Sequence, residues 1–191
     1  MRTRLWLAVG FVLGGVVLIV LVLPGAPRIG GPSRQSEARS NLKRLHQLQR
    51  IRLEERASFT ELYEELGYGF ERKNRYLYVL GDTSDLLVPG LEDGGLHRGL
   101  HADIEANRPT PDNAALYRAI PVALLREVGV HGTCPEDCSF TALAIGNIDD
   151  DPTVDLWSIS TRDRTIEGTV VPAGIPFNHV NDMRDGYVLP P

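Results

Sequence analysis

Leu5-Trp6-Leu7-Ala8-Val9-Gly10-Phe11-Val12-Leu13-Gly14-Gly15-Val16-Val17-Leu18-Ile19-Val20-Leu21-Val22-Leu23, followed after a Pro/Gly stretch by Gln35-Ser36-Glu37-Ala38-Arg39-Ser40-Asn41-Leu42, decides the architecture of this chain. The first piece is nineteen residues without a charge. As a helix rising about 1.5 Å per residue it spans roughly 28 Å, close to the ~30 Å hydrocarbon layer of a bilayer. Fourteen of the nineteen are Leu, Ile, Val or Phe. Each favours insertion by roughly 0.3–0.6 kcal/mol, which outweighs Gly10, Gly14 and Gly15. The run therefore predicts a single membrane span in contact with lipid, from Leu5 through Phe11 and Val17 to Leu23. A cleaved secretory signal is the competing reading, because Arg2 and Arg4 give a basic start. The run is too long for one, and Pro24-Gly25-Ala26-Pro27 offers no small-x-small cut site.

Arg2 and Arg4 precede the span and Arg28 and Arg34 follow it, so local charge does not set orientation. A short N-terminal tail stays inside and a long following domain is translocated largely regardless of flanking charge, which predicts N-in, C-out. Of the 191 residues, about 159 lie beyond the anchor and the Pro/Gly stretch, enough for one domain with its own core. The expected division is 1–34 for tail, anchor and Pro/Gly segment, and 35–191 for the globular domain. A net charge of −5 with no basic block in the soluble part argues against a nucleic-acid partner.

The cysteines are Cys134 and Cys138, in Cys-Pro-Glu-Asp-Cys. Outside the cytoplasm such a pair closes a disulfide loop. A metal-binding pair is the alternative, without a second Cys or His pair at useful spacing, and two free thiols are the third.

Beyond Pro32, Ala38, Leu42, Leu45, Leu48 and Ile51 recur three or four apart, which predicts an amphipathic helix from Gln35 to Arg56 packed on a sheet. Ser58-Phe59-Thr60-Glu61 has the form of a capping box for a short second helix that Gly67 stops. Asn74 to Leu80 reads as a strand, 81–113 as an irregular surface loop, and Ala114 to Val128 as locally helical around Pro121. Ser139 to Ile148 and Val154 to Ser160 form a hairpin across Asp149-Asp150-Asp151-Pro152, with a further strand near Thr165 to Val171. One long helix followed by an antiparallel sheet is an α+β domain.

These elements, in this order, resemble a type IV pilin or a type II secretion pseudopilin, and the resemblance covers nearly the whole chain. Its most specific pieces are Ser36-Glu37-Ala38-Arg39-Ser40-Asn41-Leu42 and the segment from Gly69-Phe70 to Tyr78 with Asn74-Arg75-Tyr76. A third piece runs from Phe140-Thr141-Ala142 through Gly146-Asn147-Ile148-Asp149 to Asp155-Leu156-Trp157-Ser158-Ile159, and Val180-Asn181-Asp182 is a fourth. The resemblance implies a pilin-like fold, a long N-terminal helix with a transmembrane and an amphipathic half laid on an antiparallel sheet. It implies a structural subunit of a type IV pilus or a type II secretion-like system in the bacterial inner membrane, its domain periplasmic or extracellular. Other pilin or pseudopilin subunits are the implied partners, with no small-molecule substrate. Prepilins carry a Gly-Phe cut site and a glutamate five residues into the mature chain. Aligning Pro24 and Ser36-Glu37-Ala38 with the family places Thr3 at the mature start and Leu7 at the glutamate position, and cutting at Gly10-Phe11 places Gly15 there. The expectation is an unprocessed, anchored pilin-like protein, with a non-assembling periplasmic binding module as the alternative.

Asn147, Asp149, Asp151, Thr153 and Asp155 alternate across the hairpin, the oxygen pattern a Ca²⁺ needs. The loop is not an EF-hand, some pseudopilins of this kind hold calcium in the sheet region, and a plain polar turn is the competing reading. Calcium is the one cofactor the sequence suggests. His97 and His101 are four apart with Asp103 beyond, but Gly99 between them points to surface histidines. No Ser, His or Asp sits in a nucleophile-elbow or metalloprotease context, and an enzyme is not expected.

Overall fold

The computed structural model describes residues 30–68, 74–81, 98–100, 113–148 and 153–181. Helix α1 spans Gly30–Arg56 and starts five residues ahead of the Gln35 expected from the apolar stripe. Pro32 falls in its first turn, where the missing N–H has no helical partner to lose. Ala38, Leu42, Leu45 and Gln49 are fully buried, spaced four, three and four apart along one face. Ile51, expected in that stripe, is 49% exposed. It stands two residues past Gln49, about 200° round the helix.

Helix α2 is the single turn Tyr63–Leu66, closed by Gly67 in the left-handed conformation as the sequence suggested. The capping box does not form. The N-cap is Leu62, without a side-chain bond, and the glutamate of the motif is used elsewhere. Thr60 Oγ1 accepts from Leu62 N–H at 3.1 Å, and Glu61 Oε1 accepts from Val130 N–H at 2.9 Å.

The strands are β1 Leu77–Val79, β2 Gly99–Leu100, β3 Gly129–Thr133, β4 Asp137–Gly146, β5 Asp155–Ser160, β6 Arg164–Ile166, β7 Thr169–Val171 and β8 Phe177–Val180. The main sheet runs β2-β1-β4-β5-β8 and every pairing in it is antiparallel. The long β4 is its spine. Along one edge it carries β1 opposite Leu143 to Ile145 and β3 opposite Asp137 to Thr141, end to end, and along the other edge β5. The strand expected near 165–171 is instead a separate hairpin, β6–β7, turning at Glu167 and Gly168, which both take positive φ.

Both faces of the sheet are covered, which is why β1 and most of β4 and β5 are buried at every position. Tyr76, Tyr78, Phe140, Ala142, Ala144, Trp157 and Ile159 face α1. Leu77, Val79, Leu143, Ile145 and Leu156 face the other way, onto Leu116 of helix α3 (Asn113–Ala119) and Ile120 just after it, with Leu124 and Leu125 of helix α4 (Val122–Leu125) partly buried beside them. Pro121 is the N-cap of α4 and divides the helical stretch as expected. Ala142 and Ala144 are small, which lets α1 lie close to the sheet with Leu42 and Leu45 filling the gap.

Candidate functional site

The chemistry of this fold is concentrated in the seam between the first turns of α1 and the sheet. Asp155, the first residue of β5, is fully buried, and both its oxygens are occupied. Oδ2 accepts from the Tyr76 hydroxyl at 2.7 Å and from the Trp157 indole N–H. Oδ1 accepts from Gln35 Nε2 at 3.0 Å and from Asn178 Nδ2 at 3.1 Å. The Gln35 amide also donates to Asn181 Oδ1 at 2.8 Å, so one carboxylate and one amide tie α1 to β1, β5 and the strand end after β8. Burial, and then the Asp155 charge, push the Tyr76 phenol far above its ordinary range, which keeps it a donor.

Neighbouring helix positions repeat the theme. Arg34 donates to the Ile148 carbonyl at the end of the β4 side of the hairpin. Glu37 Oε1 accepts from Arg75 N–H at 2.8 Å. Asn41 donates to the Tyr78 hydroxyl and accepts from the Tyr68 hydroxyl, each at 2.9 Å. Burial raises the Tyr78 phenol, and the bond from Asn41 offsets part of that rise. Arg39 lies over the Trp157 ring at 5.7 Å and Arg44 over Tyr68 at 4.7 Å. Farther along, Gln49 closes a two-way bond with the Thr60 backbone, donating to its carbonyl at 2.5 Å and accepting from its N–H at 3.1 Å.

A second pin lies at the junction of β1 and β3. The Glu61 carboxylate sits against Gly81 and Gly129, where an added Cβ would come within 2.5 Å and 2.3 Å of its oxygens. Gly129 has φ +99°, so a side chain there is excluded by backbone as well as by space. Arg98 Nε is 3.7 Å from the same carboxylate, and Leu80 N–H donates to the Arg98 carbonyl at 2.7 Å. The two ends of the 82–97 segment are thereby held together.

Cys134 and Cys138 are joined in a disulfide across the β3–β4 turn. Of the oxygen series expected at the other hairpin, Asn147 and Thr153 are partly exposed, Asp155 is committed to the seam, and Asp149 and Asp151 lie outside the described residues. The span residues Leu5, Phe11, Val17 and Leu23 also lie outside them, as do His97 and His101. Among the described residues no helix is long and apolar enough to cross a membrane. Ser158 Oγ and His179 Nε2 are 2.7 Å apart, a pair sequence reading did not find. Ser158 is fully buried, which removes its hydroxyl from any solvent-borne substrate. Burial, with Arg164 nearby, lowers the His179 imidazole to about 4.

Among the described residues, a helix is fastened lengthwise to an antiparallel sheet by polar side chains of both. The family model described as "Type IV pilin PilA" matches residues 31–87, the stretch that supplies Arg34, Gln35, Glu37, Asn41, Tyr68, Tyr76 and Tyr78 to the seam. The chain is 30% identical over 190 residues to "Type IV major pilin protein PilA" of Myxococcus xanthus (strain DK1622), across 87% of this chain and 85% of that one. The chain belongs to the type IV pilin family.

Proposed function

We propose that this chain is a membrane-anchored subunit of a type IV pilus or of a type II secretion-like filament in a bacterial inner membrane. In this reading the apolar run containing Leu5, Phe11, Val17 and Leu23 contacts lipid, α1 continues from it, and the globular domain stands on the outer face, where it meets other pilin or pseudopilin subunits. The observation that carries the reading is 30% identity to a type IV major pilin extending over 87% of the chain. The seam supports it: polar bonds from Arg34, Gln35, Glu37 and Asn41 hold the sheet on the helix at the end nearer the apolar run, where load would pass from anchor to domain.

The test is to shear surface filaments from the native cell and to weigh the intact protein in the sheared and membrane fractions. A shortened, N-methylated chain in the sheared fraction supports a filament subunit. An uncut chain confined to the membrane overturns it in favour of the second reading, a non-assembling anchored module, which Leu7 at the expected glutamate position favours. A Ca²⁺ at the β4–β5 turn is an accessory of the proposal, supported if millimolar Ca²⁺ raises the melting temperature and removed if it does not.

A further inference from the structure

One exposed flank of α1 carries a charge pattern of which the seam uses only Arg39 and Arg44, laid over Trp157 and Tyr68. From Ala38 to Leu53 the helix holds Arg39, Lys43, Arg44, Arg50 and Arg52 and no acidic residue, in a chain whose net charge is −5. Arg52 is paired with Glu65 at 2.7 Å. Arg39, Lys43, Arg44 and Arg50 are exposed, and among the described residues none of them has a carboxylate partner. Arg39, Lys43 and Arg50, four and seven apart, fall in one narrow band of the helix surface.

The opposite sign gathers at the far end. Glu54 and Glu55 occupy the last turn of α1, where the helix dipole disfavours negative charge, with Arg56 as the cation of that turn. Glu136 and Asp137 are exposed at the tip of the β3–β4 turn, held by the Cys134–Cys138 bond. That tip lies at the same end, where Phe59 beyond α1 meets Phe140 of β4 with ring centroids 6.2 Å apart. Cations along the shaft, none of them bonded to a carboxylate among the described residues, and carboxylates at the tip, two of them placed against the dipole, are complementary from one copy to the next. A shaft-to-tip contact is heterologous, so it propagates along an axis rather than closing into a dimer.

We propose that the band formed by Arg39, Lys43 and Arg50 docks on the acidic far end, Glu54, Glu55, Glu136 and Asp137, of a second copy of this chain, and that this contact sets the register between copies. The inference rests on the filament reading above.

Full-length Lys43→Glu with Arg50→Glu, full-length Glu136→Lys with Asp137→Lys, and the chain carrying all four changes replace the native protein in its own cell; the acidic reversal leaves out Glu54, which stands one turn from Arg50 on the same helix. Each two-site reversal sets like charges face to face and is expected to cut sheared-filament yield about tenfold or more. The four-site chain is expected to recover it, with cellular level and melting temperature unchanged throughout. Unaffected yield in either reversal, or no recovery in the four-site chain, overturns the contact. Loss confined to the cation reversal, together with weaker binding to vesicles of phosphatidylglycerol, overturns it in favour of a membrane surface. A wild-type chain absent from sheared filaments overturns the filament reading itself, whereas a wild-type filament indifferent to the reversals removes this contact alone.

Discussion

Asp155 gathers four donors from four parts of the chain, α1, the entry to β1, β5 and β8, on one buried carboxylate. Leaving a buried donor unmade costs about 1–3 kcal/mol, more where the lost partner is charged. Asp155→Asn turns one acceptor into a donor facing other donors, and is expected to cost about 2–5 kcal/mol in urea unfolding with an unchanged m-value. Tyr76→Phe removes a single donor and leaves Asp155 Oδ2 with Trp157, so about 1 kcal/mol is expected. Equal losses in the two variants would show that the network does not act through Asp155. The pH dependence is set by His179, which is lowered from 6.5 to about 4 by burial and by Arg164. The unfolded chain takes up this proton near 6.5 and the folded one only near 4. Stability from this residue is therefore complete above that upper value and drains away as pH falls toward the lower one. His179→Gln is expected to flatten the decline in unfolding free energy between about pH 7 and about pH 5. A residual slope stays with His46, which burial and Arg50 also lower.

At the scale of elements, the sequence carries the long helix and the β4–β5 hairpin plainly and hides what depends on a distant partner. Ala38, Leu42 and Leu45 announce a helical face, but hydrophobicity assigns Ile51 to it where geometry places Gln49, whose amide replaces the backbone partners that Thr60 lacks. Gly129-Val130-His131-Gly132-Thr133, with two glycines and one large apolar side chain, has little strand character of its own and becomes β3 because β4 extends past β1 and offers it an edge. The capping box fails for the same reason, since Glu61 finds Val130 N–H and the space left by two glycines. Two predictions follow from these pins. Gly129→Ala meets both a positive φ and the Glu61 carboxylate, and is expected to cost about 1–3 kcal/mol, read as a lowered urea midpoint. Cys134→Ser with Cys138→Ser opens a five-residue loop, for which the chain-entropy model gives about 2 kcal/mol, and the oxidised wild type treated with reductant should fall to the same midpoint.

On the scale of the whole molecule, the motif pieces that marked the family lie far apart in sequence and meet at one place. Ser36 to Leu42, Asn74 to Tyr78, Gly146 to Ile148, Asp155 to Trp157 and Asn181 all border the seam. Each was legible as a fragment, but their convergence was not, because it depends on the register of β4 against β1 and β5. The second layer was legible only in part: Ala114 to Val128 read as helical, yet nothing in that pattern said that it covers the far face of the sheet. That covering joins the two hydrophobic clusters through shared strands, since alternate residues of β1, β4 and β5 belong to opposite clusters. A domain built this way should unfold as one unit. Leu116→Ala, on the α3 side, removes a fully buried side chain and is expected to cost about 2–5 kcal/mol. Its effect should appear undiminished in the fluorescence of Trp157, which faces α1 on the other side of the sheet, in a chain carrying Trp6→Phe so that one indole reports. A Trp157 transition that holds its wild-type midpoint while helical circular dichroism melts early would mean that α3 and α4 are a separable layer. Coincident midpoints, both lowered, would mean that the helix seam and the far face stand or fall together.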